Sequence, residues 1–71
     1  MHMDIGNALK EIRIKSLLSQ ADFAKEIGVS FSTVNRWENG KAVPGFKALK
    51  KTKDFCARNG IDFEIDKFIA D

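Results

Sequence analysis

Four hydrogen-bonding side chains in the middle of the chain share the spacing of one helical face. They occupy the i, i+3, i+4 and i+7 positions of the segment after Gly28, namely Ser32, Asn35, Arg36 and Asn39. Hydroxyl and carboxamide groups donate and accept hydrogen bonds, and a guanidinium donates through a planar fork. A merely solvated face more often carries glutamate and lysine pairs, which stabilise a short helix. These residues therefore indicate directional hydrogen bonding to a partner.

The edges of DNA base pairs are partners that these groups fit. An arginine bonds guanine through two donors, an asparagine bonds adenine in a similar bidentate manner, and a serine bonds a base or a phosphate. Phe31 lies on the boundary of the face, where its ring is able to contact a thymine methyl group. The types and spacing of these residues are typical of a helix that lies in the major groove.

Residues suited to catalysis or metal binding are sparse in this sequence. The one cysteine, Cys56, has no partner for an internal disulfide, and with the one histidine it falls short of the three or four ligands of a zinc site. There is no glycine-rich phosphate loop and no carboxylate cluster away from helix surfaces. We predict that the protein is not an enzyme and uses no metal or cofactor, and that Cys56 is a small buried apolar residue.

The charge of the chain is unevenly distributed. Residues 1–60 hold eleven Lys or Arg against six Asp or Glu, whereas residues 61–71 hold one Lys against four acidic residues. A basic body suits a polyanionic partner. A chain of 71 residues, 44% of them hydrophobic, is expected to form one small globular domain.

The sequence gives no sign of a membrane or secreted protein. No apolar run approaches the roughly 20 residues of a transmembrane helix, and no basic segment followed by an apolar one stands at the N-terminus. We expect a cytoplasmic protein that does not bind a membrane. Residues 1–3 are interpreted as an expression scar, so His2 is given no role.

Apolar periodicity predicts four helices with a tight turn between the second and the third. The first spans residues 4–17, and its inward stripe consists of Ile5, Ala8, Leu9, Ile12 and Leu17, with Ile14 outside it. Ser19 and Ser30 are the predicted N-caps of the second and third helices, and Gly28 ends the second. Two short helices joined so tightly must cross at a steep angle, which is the geometry of a helix-turn-helix.

The fourth helix is predicted to begin at Pro44, whose missing N–H costs nothing in a first turn, and to end at Asn59 and Gly60. Its inward stripe consists of Ala48, Leu49, Thr52, Phe55 and Cys56. Lys47, Lys50 and Lys53 share the other side, which is interpreted as a solvated face. Lys47 lies near enough to the helix start to reach DNA.

Residues 61–71, IDFEIDKFIAD, form an acidic C-terminal segment with two interpretations. Its apolar residues alternate as in a strand and also fit a helical stripe. We favour a short helix, because a lone strand in a helical domain has nothing to pair with. A strand would imply pairing with a second copy of the chain.

Residues 19–44, SQADFAKEIGVSFSTVNRWENGKAVP, resemble the helix-turn-helix signature of the phage repressor and Cro-like family, also called the xenobiotic-response-element family of bacterial regulators. The resemblance extends over about residues 9–55. It implies an all-α fold of four or five helices, here over residues 4–60, with the third helix in the major groove. It also implies a transcriptional regulator, most often a repressor, that binds double-stranded DNA as a homodimer.

The resemblance assigns roles to individual residues. Those expected to face base edges are Phe31, Ser32, Asn35 and Arg36. Those expected at phosphates, together with Lys47, are Gln20, Asn39, the backbone of Gly40 and Lys41, and the Lys41 side chain. Gln20 would also brace the third helix. Arg13 and Glu38 match a partly buried ion pair that links the first helix to the end of the third. Trp37 turns toward the core beside Val34.

The sequence departs from the family pattern in two places. Phe31 is more apolar than the polar residue common at its position, which favours methyl contact or packing there. The segment after Gly60 is short and acidic, where the family usually has a fifth helix. With the outward Ile14, this segment motivates the alternative of an antitoxin-like or adaptor module that binds a protein partner.

Overall fold

The computed structural model describes residues 4–63 and folds them into four α-helices. These are Ile5–Lys15 (α1), Gln20–Ile27 (α2), Phe31–Glu38 (α3) and Phe46–Arg58 (α4). Because no strand occurs within residues 4–63, the prediction of an all-α fold is confirmed. Helix α3 packs against α1 and α2, and α4 packs against α2. Within the same range, no helix has the length and apolar character that crossing a bilayer requires.

Helix α1 begins one residue later than predicted and ends two residues early. The Asp4 carboxylate caps it by accepting a hydrogen bond from the Asn7 N–H at 2.8 Å. The prediction that Leu17 continues the inward stripe is wrong, because Leu17 is 92% exposed and has a left-handed φ of 58°. The chain leaves the helix at Ser16, whose hydroxyl donates to the Ile12 carbonyl at 2.8 Å. Leu17 therefore turns away from the core.

Two serine caps and one glycine set the ends of α2 and α3, and Gly28 and Ser30 bound the tight turn between them. The Ser19 hydroxyl accepts from the Asp22 N–H at 3.0 Å, and the Ser30 hydroxyl accepts from the Thr33 N–H at 3.1 Å. Gly28 ends α2 in the left-handed conformation, with φ of 74°. Both predicted caps and the predicted helix end are confirmed. The two helices follow each other with only Gly28 to Ser30 between them.

Apolar side chains from all four helices form one core. Its fully buried members include Phe23 of α2 and Val34 of α3, and the rings of Phe23 and Phe55 meet edge to face with centroids 5.6 Å apart. Burying each large side chain of this kind stabilises the fold by about 1.5–3 kcal/mol. The remaining members are Leu9, Ile12, Ala24, Ile27, Trp37 and Cys56.

Gly6 lets α1 lie directly against the backbone of α3. It is buried, and a β-carbon at this position would collide with the carbonyl oxygen of Trp37. A larger residue would push the two helices apart. The position of α3 relative to α1 therefore depends on the absence of a side chain at residue 6.

Helix α4 begins two residues after Pro44, so the prediction that Pro44 lies in its first turn is wrong. Gly45 is the N-cap, with extended backbone angles of φ −76° and ψ 175°, and Pro44 is buried just before it. The predicted inward stripe is present, including Leu49 and the fully buried Thr52. On α4, Lys51 places its ammonium beside Gly28 at the C-terminal end of α2. A positive charge there interacts favourably with the dipole of α2.

The chain after α4 begins in neither a helix nor a strand. The Ile61 N–H donates to the Cys56 carbonyl at 2.9 Å, and Ile61 and Phe63 pack against the core. The helix or strand predicted for residues 61–71 is thus absent from residues 61–63. The rest of that segment, like the supposed scar at residues 1–3, lies outside the described residues.

Candidate nucleic-acid interface

The outward face of α3 carries the four side chains predicted to face bases. Ser32 and Arg36 are exposed, Phe31 is 54% exposed, and Asn35 is half-buried. Val34 and Trp37, on the opposite side, are 0% and 4% exposed. The division predicted for this helix is therefore present.

Hydroxyl groups cluster at the N-terminal end of α3. Besides capping the helix, the Ser30 hydroxyl lies 2.8 Å from the Thr33 hydroxyl and 3.2 Å from the Ser32 hydroxyl. Thr33 and Ser30 were not among the predicted site residues. These contacts hold the Ser32 side chain at the first turn of the helix.

The ion pair expected between α1 and α3 is present. Arg13 Nε donates to Glu38 Oε2 at 2.7 Å and Arg13 Nη2 donates to Glu38 Oε1 at 3.1 Å, while Nη1 donates to the Leu18 carbonyl at 2.9 Å. The side chains of Arg13 and Glu38 are 15% and 3% exposed. The two bonds to the carboxylate and the third to the Leu18 carbonyl hold the guanidinium in one orientation.

Two opposing influences act on the pKa of Glu38. Burial raises it, whereas hydrogen bonds from Arg13 and Gln20 and the positive charges of Arg13 and Lys10 lower it. The lowering influences win, so the pKa lies below its ordinary value of 4.5. Glu38 is therefore a carboxylate at neutral pH and acts only as a hydrogen-bond acceptor.

Gln20 joins this ion pair to the outward face. Its Nε2 donates to Glu38 Oε1 at 3.0 Å, and its Oε1 accepts from Asn35 Nδ2 at 3.1 Å. Asn39 continues the series, since its Nδ2 donates to Asn35 Oδ1 at 3.1 Å. The expected bracing of α3 by Gln20 is present. The bond between Gln20 and Glu38 had no signal in the sequence, because residues 20 and 38 lie on different helices.

The turn after α3 contains two backbone N–H groups that were expected at a phosphate. The Gly40 N–H donates to the Trp37 carbonyl at 3.2 Å, and the Lys41 N–H donates to the Arg36 carbonyl at 2.8 Å. Both backbone N–H groups that were expected at a phosphate thus have an acceptor within the chain. Gly40 instead provides the left-handed turn, with φ of 72°, and the Lys41 side chain is exposed.

Two more predicted residues lie apart from this hydrogen-bonded set. Lys47 is exposed at the start of α4. Arg36 is exposed on α3, where its Nη2 lies 3.4 Å from the Lys41 carbonyl as a long hydrogen bond. Most donors of the Arg36 guanidinium thus point to solvent, where a partner is able to reach them.

Residues suited to other chemistry do not converge. Burial raises the pKa of the Cys56 thiol to about 11, so the reactive thiolate is scarce at neutral pH. Across residues 4–63, no three histidine, cysteine or acidic side chains come together as metal ligands do. Within that range, the outward face of α3 is the candidate site that the geometry supports.

Comparisons with known proteins match the same region of the chain. A family profile described as helix-turn-helix matches residues 9–51. The chain is 30% identical over 53 residues, 75% of its length, to the HTH-type transcriptional activator BcrR of Enterococcus faecalis. It is 42% identical over 43 residues, 61% of its length, to multiprotein-bridging factor 1c of Arabidopsis thaliana.

The matches cover only a part of these relatives. The chain spans 26% of the length of the first and 29% of the second. No solved structure gives a significant match. The similarity to the family profile therefore concerns the second part of α1, all of α2 and α3, and the start of α4.

Proposed function

We propose, because this chain belongs to the helix-turn-helix family, that its helix α3 lies in the major groove of DNA. By binding one particular DNA sequence in this way, the protein regulates transcription. The family is one of DNA-binding regulators and not of enzymes. The observation that carries the proposal is the sided character of α3. Its buried residues attach it to the core, while its polar side chains stand outward in an order that suits base edges.

Each outward residue has a proposed role. Arg36 bonds a guanine through two donors, Asn35 an adenine through a donor and an acceptor, and Ser32 a base or a phosphate. Phe31, which is 54% exposed at the first turn, packs on a thymine methyl group. Phosphates are held by the side chains of Gln20, Asn39, Lys41 and Lys47, which set the orientation of α3 without selecting sequence.

We propose repression as the mode of regulation. A repressor acts by occupying a promoter, which needs only a DNA-binding face. Activation needs in addition a surface that contacts the transcription machinery. One relative is described as an activator and another as a bridging factor, so their described roles differ from the repression proposed here. The decisive comparison is transcription in vitro from a promoter containing the selected site, which should fall when the protein is added.

Two copies are proposed to bind together, because one short helix contacts too few base pairs for useful selectivity. Their half-sites would lie about 34–36 Å apart, one turn of DNA. Selection of bound duplexes from a random pool, combined with mass measurement of the complex, reports the site, its symmetry and the stoichiometry. A selected pool without any shared motif would contradict sequence-specific binding.

Arg36→Ala provides the sharpest single variant for base recognition. We expect it to weaken binding to the selected site by about 1–3 kcal/mol and to relax the preference for one base pair. Arg58→Ala is the matched control, since Arg58 is an exposed arginine in the last turn of α4. Equal losses for both variants in a fluorescence-anisotropy titration would count against base recognition by Arg36.

A protein-binding adaptor is the second candidate function. It is favoured by exposed apolar side chains near the end of α1, where Leu17 is 92% and Ile14 is 52% exposed. Single exposed apolar residues are common, so two neighbours provide weaker support than the face of α3. A double variant, Ile14→Ser with Leu17→Ser, should leave DNA binding unchanged and abolish partner capture if this candidate is correct.

A further inference from the structure

A directional series of hydrogen bonds runs from the buried ion pair to the outward face of α3. We call Gln20, Asn35 and Asn39 the amide relay. Within it, Asn39 donates to Asn35, Asn35 donates to Gln20, and Gln20 donates to Glu38, over distances of 3.0 to 3.1 Å. All three bonds run in the same direction. Each carboxamide thus offers its nitrogen toward Glu38 and its oxygen away from it.

The direction follows from the chemistry of Glu38. As a carboxylate it accepts hydrogen bonds and cannot donate them, and Arg13 already donates to both of its oxygens. Gln20 must therefore turn its NH2 group toward Glu38, which leaves its oxygen toward α3. An oxygen there requires a donor, so Asn35 turns its own NH2 group to Gln20. The ion pair thereby determines which way round the Asn35 carboxamide lies.

This orientation limits what Asn35 offers to a partner. One N–H of its Nδ2 is used by Gln20 and one lone pair of its Oδ1 is used by Asn39. One N–H and one lone pair remain, which is the donor and acceptor set that an adenine edge requires. An unrestrained carboxamide offers the two groups in either order. The restrained one offers them in a single order.

We propose that Gln20 is a positioning residue that sets the base preference of Asn35 by fixing the direction of its carboxamide. This inference rests on the proposed function, because it requires Asn35 to face a base. It differs from the phosphate role given to Gln20 above. A phosphate contact contributes the same affinity on every sequence, whereas the relay contributes only at the base pair that Asn35 contacts.

The DNA test compares Gln20→Met with wild type on the selected duplex and on three duplexes that vary the Asn35 base pair. Met keeps the length of the side chain and removes both polar atoms. We expect the preference among the four duplexes to fall about tenfold, the size of one bidentate contact. Lys41→Ala is the matched control and should weaken all four duplexes equally.

The outcomes separate the inference from the proposed function. If wild type prefers one duplex and Gln20→Met weakens all four equally, the relay is wrong and the DNA-binding function stands. If wild type shows no preference among the four duplexes, Asn35 does not select that base pair and the inference fails. The proposed function itself fails if the selected pool shares no motif.

A second test needs no DNA and measures the direction of the relay itself. Asn35→Asp replaces the donating NH2 group by an oxygen that faces the Gln20 oxygen. In the wild-type background it should lower the unfolding temperature by about 4–8 °C, the shift that one lost hydrogen bond produces in a domain of this size. In the Q20M background the shift should be less than half as large. Equal shifts in both backgrounds would overturn the proposal.

Discussion

Helix α2 is held on its two sides by different physical interactions. Against α4 it packs through apolar groups, with Phe23 and Phe55 in edge-to-face contact. Toward α1 and α3 it shares the same apolar core and in addition contributes Gln20 to the buried ion pair. Apolar packing tolerates small displacements, because its energy depends mainly on area and volume. Hydrogen bonds to a charged group are directional, so the polar side specifies how α3 is oriented.

The comparison indicates a division of labour between stability and orientation. A buried ion pair adds little net stability over an apolar substitute, since removing two charges from water is costly. Its contribution here is geometric. We therefore expect damage on the apolar side to lower stability without changing base preference, and damage on the polar side to change both.

The largest expected effect is that of Phe23→Ala on the apolar side. Phe23 is 0% exposed, so truncation removes buried area and leaves a cavity that costs about 3–5 kcal/mol. Urea unfolding followed by circular dichroism measures this loss. Phe46→Ala is the matched control, because Phe46 is 72% exposed and should change stability by less than about 0.5 kcal/mol.

The next effect is that of Arg13→Met on the polar side. It leaves Glu38 as a buried carboxylate without its cation, which should cost about 3 kcal/mol. The double variant with Glu38→Met removes both charges and should recover much of that stability. A double-mutant cycle in urea reports the coupling. Full additivity of the two single losses would show that the pair does not act as a unit.

A smaller loss is expected from Gly6→Ala, which disturbs the polar side through the backbone. The new methyl group meets the Trp37 carbonyl, and overpacking of this kind costs about 1–3 kcal/mol. Gly45→Ala is the control. No atom lies within 4 Å of a β-carbon at that position, so only the weaker capping by alanine should count. Thermal unfolding of both variants distinguishes the collision from a general effect of losing glycine.

The smallest expected effect is a pH dependence that belongs to the polar side alone. The folded pKa of Glu38 lies below its unfolded value near 4.5, so the unfolded chain binds the proton more readily. The contribution of Glu38 is complete above about pH 4.5 and is lost as the pH falls through the folded pKa. Unfolding between pH 2 and 7 should therefore differ between wild type and the R13M/E38M double variant. Parallel curves of stability against pH would show that other carboxyl groups cause the loss of stability in acid.

Local chemistry made most of the fold predictable from the sequence. The serine caps at Ser19 and Ser30 and the helix end at Gly28 depend on neighbouring residues, and the sidedness of α3 depends on a 3.6-residue period. Two of the errors in the fold occurred at helix ends. Leu17 fits the apolar stripe by spacing, and Pro44 suits a first turn, but the chain leaves or enters the helix elsewhere.

The candidate site was less predictable, because its organisation depends on contacts between helices. The residues of the outward face follow from helical spacing, whereas the bond between Gln20 and Glu38 depends on the packing of α2 against α3. The close approach at Gly6 also depends on tertiary structure, since a glycine early in a helix reads locally as a weak helix former. The family resemblance supplied the pairing of Arg13 with Glu38, which spacing alone does not indicate.

The position of Lys51 beside the end of α2 affects how many positive charges of the molecule are available to a nucleic acid. Lys51 balances the partial negative charge of a helix terminus, and Arg13 is neutralised by Glu38. Arg13 is therefore not available to displace counterions from a nucleic acid, and the charge of the exposed Lys51 is partly offset. The salt dependence of any such association should accordingly be shallower than the tally of twelve lysines and arginines suggests.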